Sequence, residues 1–347
     1  MRNLYGLFFC FLGFSAIAQV GGGATYQFLN TITSARVAGQ GSNAIANPEN
    51  DLNFALYNPS LLTEEMHGHF TTSGVDYAAD ILFGDVAYAH HFDSVGTFYA
   101  QVRFLDYGEF DRTNELGQKQ GVFTAGDYSF NLGYGNQIDS NWHYGAKLKM
   151  IYSSYDIYNS FGLAVDAGLS YHLPEHRIVI ALLAKNIGMQ LTPYANEREP
   201  LPFEIQLGFS SRFEHLPLRW QITLEQLETW DLRYRDPTAV TVNQFTGEVD
   251  DNFPGFWNNL LRHVVVGLEF APSRSFNLQF GYSFRRRQEL NLASRRTSAG
   301  FSFGGGLKIY KFYFNYARNL YHIAGSANQL TITTDFQSFA KKGREKD

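Results

Sequence analysis

A chain of 347 residues can build one large domain with an ample core, and 31 Phe, 21 Tyr and 32 Gly give it the makeup of a β-rich protein. A formal net charge of -5 excludes a general nucleic-acid binder, whose phosphate contacts demand a basic face. With charged residues at 18% and mean hydropathy at -0.24, a bundle of apolar membrane helices is excluded as well.

Residues 1–18 carry Arg2, an apolar run from Leu4 to Phe14 and the small-x-small ending Ala16-Ile17-Ala18, the anatomy of a secretory signal peptide cleaved after Ala18. Cys10 is the single cysteine and leaves with that segment, so the mature chain is expected to hold no disulfide and no Cys-based site. Gly21-Gly22-Gly23 precedes no strand-to-helix transition and reads as a flexible leader, not a phosphate cradle.

Residues 19–66 lack alternation. Ser34 to Leu62 is rich in Gly, Asn, Ala and Pro and cannot face lipid as a strand, so a plug-like segment in a lumen or across its periplasmic mouth is expected. Within it Asn58-Pro59-Ser60 reads as a turn or helix start, with proline at the first helical position.

From residue 67 to 339 the pattern has period two. In FGLAVDAGLSY, Phe161, Leu163, Val165, Ala167, Leu169 and Tyr171 share one face, while the other holds small or polar residues and Asp166. The same division recurs around Trp142–Met150, Phe203–Phe209, Val264–Phe270, Phe276–Phe284 and Leu330–Phe336. In a sandwich the solvent face is charged and bulky; here the second face is mostly Gly, Ala and Ser, which suits the interior of a transmembrane barrel. Fourteen strands are expected, beginning near residue 67 and ending near 336. Short turns follow Phe92, Asp139, Leu173, Phe213, Ala271 and Ile309 and belong to the periplasmic end. Longer loops at 108–121, 188–201, 228–260 and 287–296 face outward. Residues 340–347 form a charged tail.

Chemistry is sparse along this wall. His67 and His69 share a strand face, but no third ligand is indicated, and neither a Gly-x-Ser-x-Gly elbow nor His-Glu-x-x-His occurs. No enzyme, cofactor or metal is expected. Asp85, Arg103, Lys147, Lys149, Asp166, Glu204, Glu225 and Glu269 fall on the inner face and must pair with one another, with water or with the N-terminal segment. Trp142, Trp220, Tyr107, Tyr152 and Tyr171 near strand ends read as interfacial girdles. On the outer side, Arg285, Arg286, Arg287, Arg295 and Arg296 suit phosphates of lipopolysaccharide or an acidic partner patch. The longest loop carries Trp230, Phe245, Phe253, Phe256 and Trp257, aromatic anchors of the kind that concentrate binding energy at an interface.

Ser34-Ala35-Arg36, the Gly-rich turn after it, Asp51 and Asn58-Pro59-Ser60 resemble the N-terminal region of the PorQ/PorV family and the wider FadL-like outer-membrane barrels. Those barrels carry Asn-Pro-Ala at the matching place, where this chain has Ser60. REPLPFEIQLG (198–208), WDL (230–232), RHVVVGLEF (262–270) and YSFRRRQEL (282–290) bring the likeness nearer the PorQ branch. It runs from Tyr26 to Phe336. The resemblance implies an all-β, 14-stranded antiparallel outer-membrane barrel of the type IX secretion system. Such a protein anchors a PorZ-type surface partner, with PorU and PorV, in the complex that links secreted cargo to lipopolysaccharide. The alternative is a FadL-like transporter of hydrophobic small molecules with the N-terminal segment as its gate. A transporter needs a continuous apolar pocket, and the inward positions read as small and charged, so the scaffold is the expectation.

Overall fold

A computed structural model describes residues 23–76, 81–233, 254–290, 298–322 and 325–340, with two short strands at 241–242 and 249–250. Residues 1–22, where a signal peptide is expected, and residues 341–347 of the expected charged tail lie outside the described residues. Period-two alternation becomes fourteen antiparallel strands: β1 (His69–Asp76), β2 (Leu82–Phe92), β3 (Gly96–Thr113), β4 (Lys119–Gln137), β5 (Trp142–Tyr155), β6 (Tyr158–Leu173) and β7 (Ile178–Thr192), then β8 (Glu204–Arg212), β9 (Leu218–Leu224), β10 (Val264–Ser273), β11 (Phe276–Ser283), β12 (Phe301–Ile309), β13 (Phe312–His322) and β14 (Gly325–Asp335). Each pairs with its sequence neighbours, and β1 pairs with β14 from His69↔Asp335 to Asp76↔Asn328, which closes the barrel. Closure leaves no edge, so the wall can stand in hydrocarbon with its backbone groups paired.

The two faces of the wall meet different surroundings. Val102, Phe130, Leu148, Val165, Phe280 and Phe303 are 38–50% exposed on the outside. Asp85, Lys149, Asp166 and Glu269 are at most 3% exposed on the inside. An apolar exterior around a polar interior is the inverse of a soluble domain, and this is an outer-membrane barrel.

One expected loop is mostly strand. Residues 108–121 form the upper part of the β3–β4 hairpin, with Glu109↔Thr124 and Phe110↔Phe123 still in register beyond a break at Gly108. Alternation is lost there because an exposed ribbon has water on both faces, so the period-two signal ends before the strands do. The tip is held by Lys119–Asp111 at 2.5 Å and by Phe110 stacked on Phe123 at 5.3 Å.

Residues 24–66 fill the lumen as two short helices, α1 (Ala35–Gly39) and α2 (Leu52–Ala55), and three 3-10 turns at Gln27–Asn30, Pro59–Leu61 and Glu64–Met66. This plug starts at the outer end, where Thr25 N donates to Pro200 O (2.9 Å). It leaves at the periplasmic end, where Gly68 N donates to Ala89 O (3.0 Å) just before β1. Inner-wall glycines make room for it. A Cβ on Gly135, Gly145 or Gly168 would run into Pro59, Asn58 or Leu62, and one on Gly281 would run into Gln40 and Gly41.

Candidate functional site: the plugged lumen

Polar groups of the plug have lost water and recover partners from the wall. Asn58 caps the Pro59–Leu61 turn by accepting from Ser60 N (3.1 Å), while its amide donates to Ile45 O (2.7 Å). Asn58-Pro59-Ser60 is thus a folded turn seated on the glycine floor of β4, β5 and β6. Arg36 on α1 reaches three carboxylates: Glu49 and Asp51 (2.6 Å) of the plug and Glu269 (2.8 Å) of β10. Asn47 Nδ2 donates to the other Glu269 oxygen (3.2 Å).

All eight inner charges read from the sequence face the lumen and have partners. Asp166 lies between Lys147 (2.7 Å) and Lys149 (2.8 Å), and Lys147 also donates to Leu56 O (2.9 Å) in the plug. Asp85 accepts from Thr33 of the plug (2.7 Å) and lies 3.7 Å from Arg103, whose guanidinium stands over the Tyr57 ring at 5.6 Å. Glu204 pairs with Lys185 (2.9 Å). Arg285 bonds Glu225 (2.9 Å), which also accepts from Asn43 (2.9 Å).

Two features of the outer half were not read from the sequence. One is an apolar patch on one side of the inner wall, from β14 round to β6. Val75, Phe83, Leu105, Ile151, Ala164 and Ala327, with Leu201 from an outer loop, pack with Tyr26, Phe28 and Leu29 of the plug in one buried cluster. Its signal was available in parity: Phe83 shares a face with Asp85, Leu105 with Arg103, and Ile151 with Lys147 and Lys149. The other is a cavity of about 340 Å³ between plug and wall, with Ile32, Val37 and Ile45 on one side and Lys185, Glu204 and Arg285 on the other.

Of the outer-loop residues, Arg285 and Arg286 turn toward the lumen, and Arg286 donates to Gly41 O of the plug. Arg287 lies in α4 (Phe284–Glu289), where burial raises the Glu289 carboxyl above its ordinary range. Trp230, Phe256 and Trp257 are 53%, 56% and 72% exposed. Phe245, Phe253, Arg295 and Arg296 lie outside the described residues. His67 accepts from His91 N (3.0 Å), and among the described residues no group of three or more His, Cys, Asp or Glu is placed to hold a metal.

The fold is that of a closed, 14-stranded antiparallel outer-membrane barrel with its N-terminal segment folded inside the lumen. No protein-family model matches it, and no curated protein does. Among solved structures it is similar to the toluene transporter TbuX of Ralstonia pickettii, at 10% identity and TM-score 0.48, covering 86% of this chain and 95% of that one. It is similar also to the toluene transporter TodX of Pseudomonas putida, at 13% identity and TM-score 0.48, covering 87% and 96%. The KdgM porin aligns at 7% identity and TM-score 0.35, over 77% of this chain and 99% of that porin. These likenesses concern the fold alone. The expectation of a type IX attachment anchor is corrected: the similar structures are transporters and porins. Nor is the inner wall lined by small and charged residues alone, since Phe83, Leu105 and Ile151 face the plug.

Proposed function

We propose that the protein is an outer-membrane transporter of small, mainly apolar molecules, with residues 24–66 as its gate. The observation that carries this reading is the apolar patch of inner wall packed on Tyr26, Phe28 and Leu29, beside a cavity of about 340 Å³. A water-filled porin has no use for inward Phe and Leu, whereas a site for an apolar ligand needs them together with a few polar groups that fix orientation. The plug's first turn covers that patch, so its withdrawal exposes apolar surface next to the cavity.

The test is uptake of labelled toluene and of a labelled long-chain fatty acid by cells producing the full chain, beside cells without it. Phe83→Asp, which sets a charge in the patch, is run alongside and checked for barrel folding by its heat-dependent gel mobility. Uptake above background that Phe83→Asp removes is expected. Equal uptake with and without the protein overturns the reading.

A further inference from the structure

Helix α3 (Phe256–Arg262), between β9 and β10, is inside out. Its polar side chains Asn259 and Arg262 are buried, at 2% and 7% exposure, while Phe256, Trp257 and Leu261 point outward. With about 100° between successive residues, positions 256, 257, 260 and 261 lie on one side of the helix. The buried side fixes the helix in place. Asn259 Nδ2 donates to Trp230 O (2.6 Å), Asn259 Oδ1 accepts from Leu232 N (2.9 Å), and Arg262 reaches Leu232 O (3.3 Å). His263 bonds Glu225 O (2.8 Å) and stacks with Trp230 at 5.4 Å. The aromatic patch is therefore held at the outer ends of β9 and β10 by specific bonds, and its exposure is a fixed property of the fold.

Polarity reversed in this way belongs to a segment whose outside is not water. The wall beside it has the same polarity, with Leu268 and Phe270 exposed on β10 and Glu269 buried between them. β10 opens at Val264, one residue beyond the cap of α3. The regular wall is lowest here, since β9 has 7 residues against 16 in β6. At about 3.3 Å per residue and about 40° of tilt, 7 residues give roughly 18 Å of height, short of the apolar band of about 25 Å that such barrels present. We propose that α3 completes the lipid belt at this low sector: Phe256, Trp257, Leu260 and Leu261 lie against the acyl chains of the outer leaflet. Trp230 sits at their upper border, at the depth where indole rings collect. This contact is independent of what the barrel carries.

The test uses the full chain in phospholipid vesicles, with Trp142, Trp220 and Trp230 changed to Phe so that Trp257 is the only indole of the four. Vesicles are made with and without lipids brominated on the acyl chain. Loss of most of the Trp257 emission to bromolipid, with little loss to aqueous iodide, is expected. Quenching by iodide and not by bromolipid overturns the proposal and makes the patch a water-facing surface for a protein partner. If the triple change lowers folded yield, the single Trp257→Phe in the native background serves: the emission it removes, taken as the difference from the unaltered chain, must be mostly lost to bromolipid and little to iodide, and a difference quenched by iodide and not by bromolipid overturns the proposal equally.

Discussion

At the residue scale the inner wall shows why a membrane barrel would have so many glycines. Gly145 and Gly168 stand where Pro59 and Asn58 press against β5 and β6, and a side chain at either has nowhere to go. Gly145→Val is expected to displace the plug while the barrel stays closed, because overpacking costs about 1–3 kcal/mol locally and the strand ladder does not depend on the turn. Trypsin reads this directly. Arg36 is 7% exposed in the intact protein, so cleavage after it should appear in the variant and not in the parent. The Lys147–Asp166–Lys149 triad makes a second case, since its three groups are at most 5% exposed. Asp166→Asn strands two buried ammonium groups and should cost about 3–5 kcal/mol, read as a lower midpoint in chemical unfolding. Replacing all three, Lys147→Met, Lys149→Met and Asp166→Leu, should cost much less, because a buried pair removed whole leaves no charge uncompensated. The inward direction of these charges was legible from alternation alone. Which plug atom each one would meet was not, because the plug sequence has no period to read.

Elements were legible wherever lipid stands on one side and the lumen on the other. Fourteen strands and the periplasmic turns after Phe92, Leu173 and Ile309 follow from that two-sidedness. It fails above the membrane. β3 and β4 run for 18 and 19 residues, although about 9–11 suffice to cross a bilayer, so the upper hairpin stands in water and its sequence carries no alternating signal. That hairpin should contribute little to barrel stability. Replacing residues 109–123 by a two-residue Asn-Gly turn is expected to leave the unfolding temperature in detergent within a few degrees of the parent, as ladder pairs from Asp106↔Gly126 downward are retained. A large drop would mean that the ion pair between Arg112 of the hairpin and Asp156, in the β5–β6 turn, ties the outer rim together.

For the whole molecule, a negative mean hydropathy and a membrane location are compatible because alternate residues face a polar lumen, and that lumen is filled by protein. Filling it solves a physical problem: Asp85, Asp166 and Glu269 would each need water or a counter-charge, and the plug brings Thr33, Leu56 O and Arg36 to them or to their lysine partners. Removing residues 23–62 should therefore open the barrel instead of unfolding it. The ladder from β1 to β14 contains none of those residues, and water can take over the freed charges once the lumen is wet. In a planar bilayer the truncated protein is expected to show a steady ionic conductance that the full chain lacks. Cation preference should be weak, since Lys147 and Lys149 stand beside Asp166, and Arg103 beside Asp85, on the freed wall. If the truncated barrel folds yet stays silent, the wall itself closes the passage, and the gate would have to be sought in the outer loops.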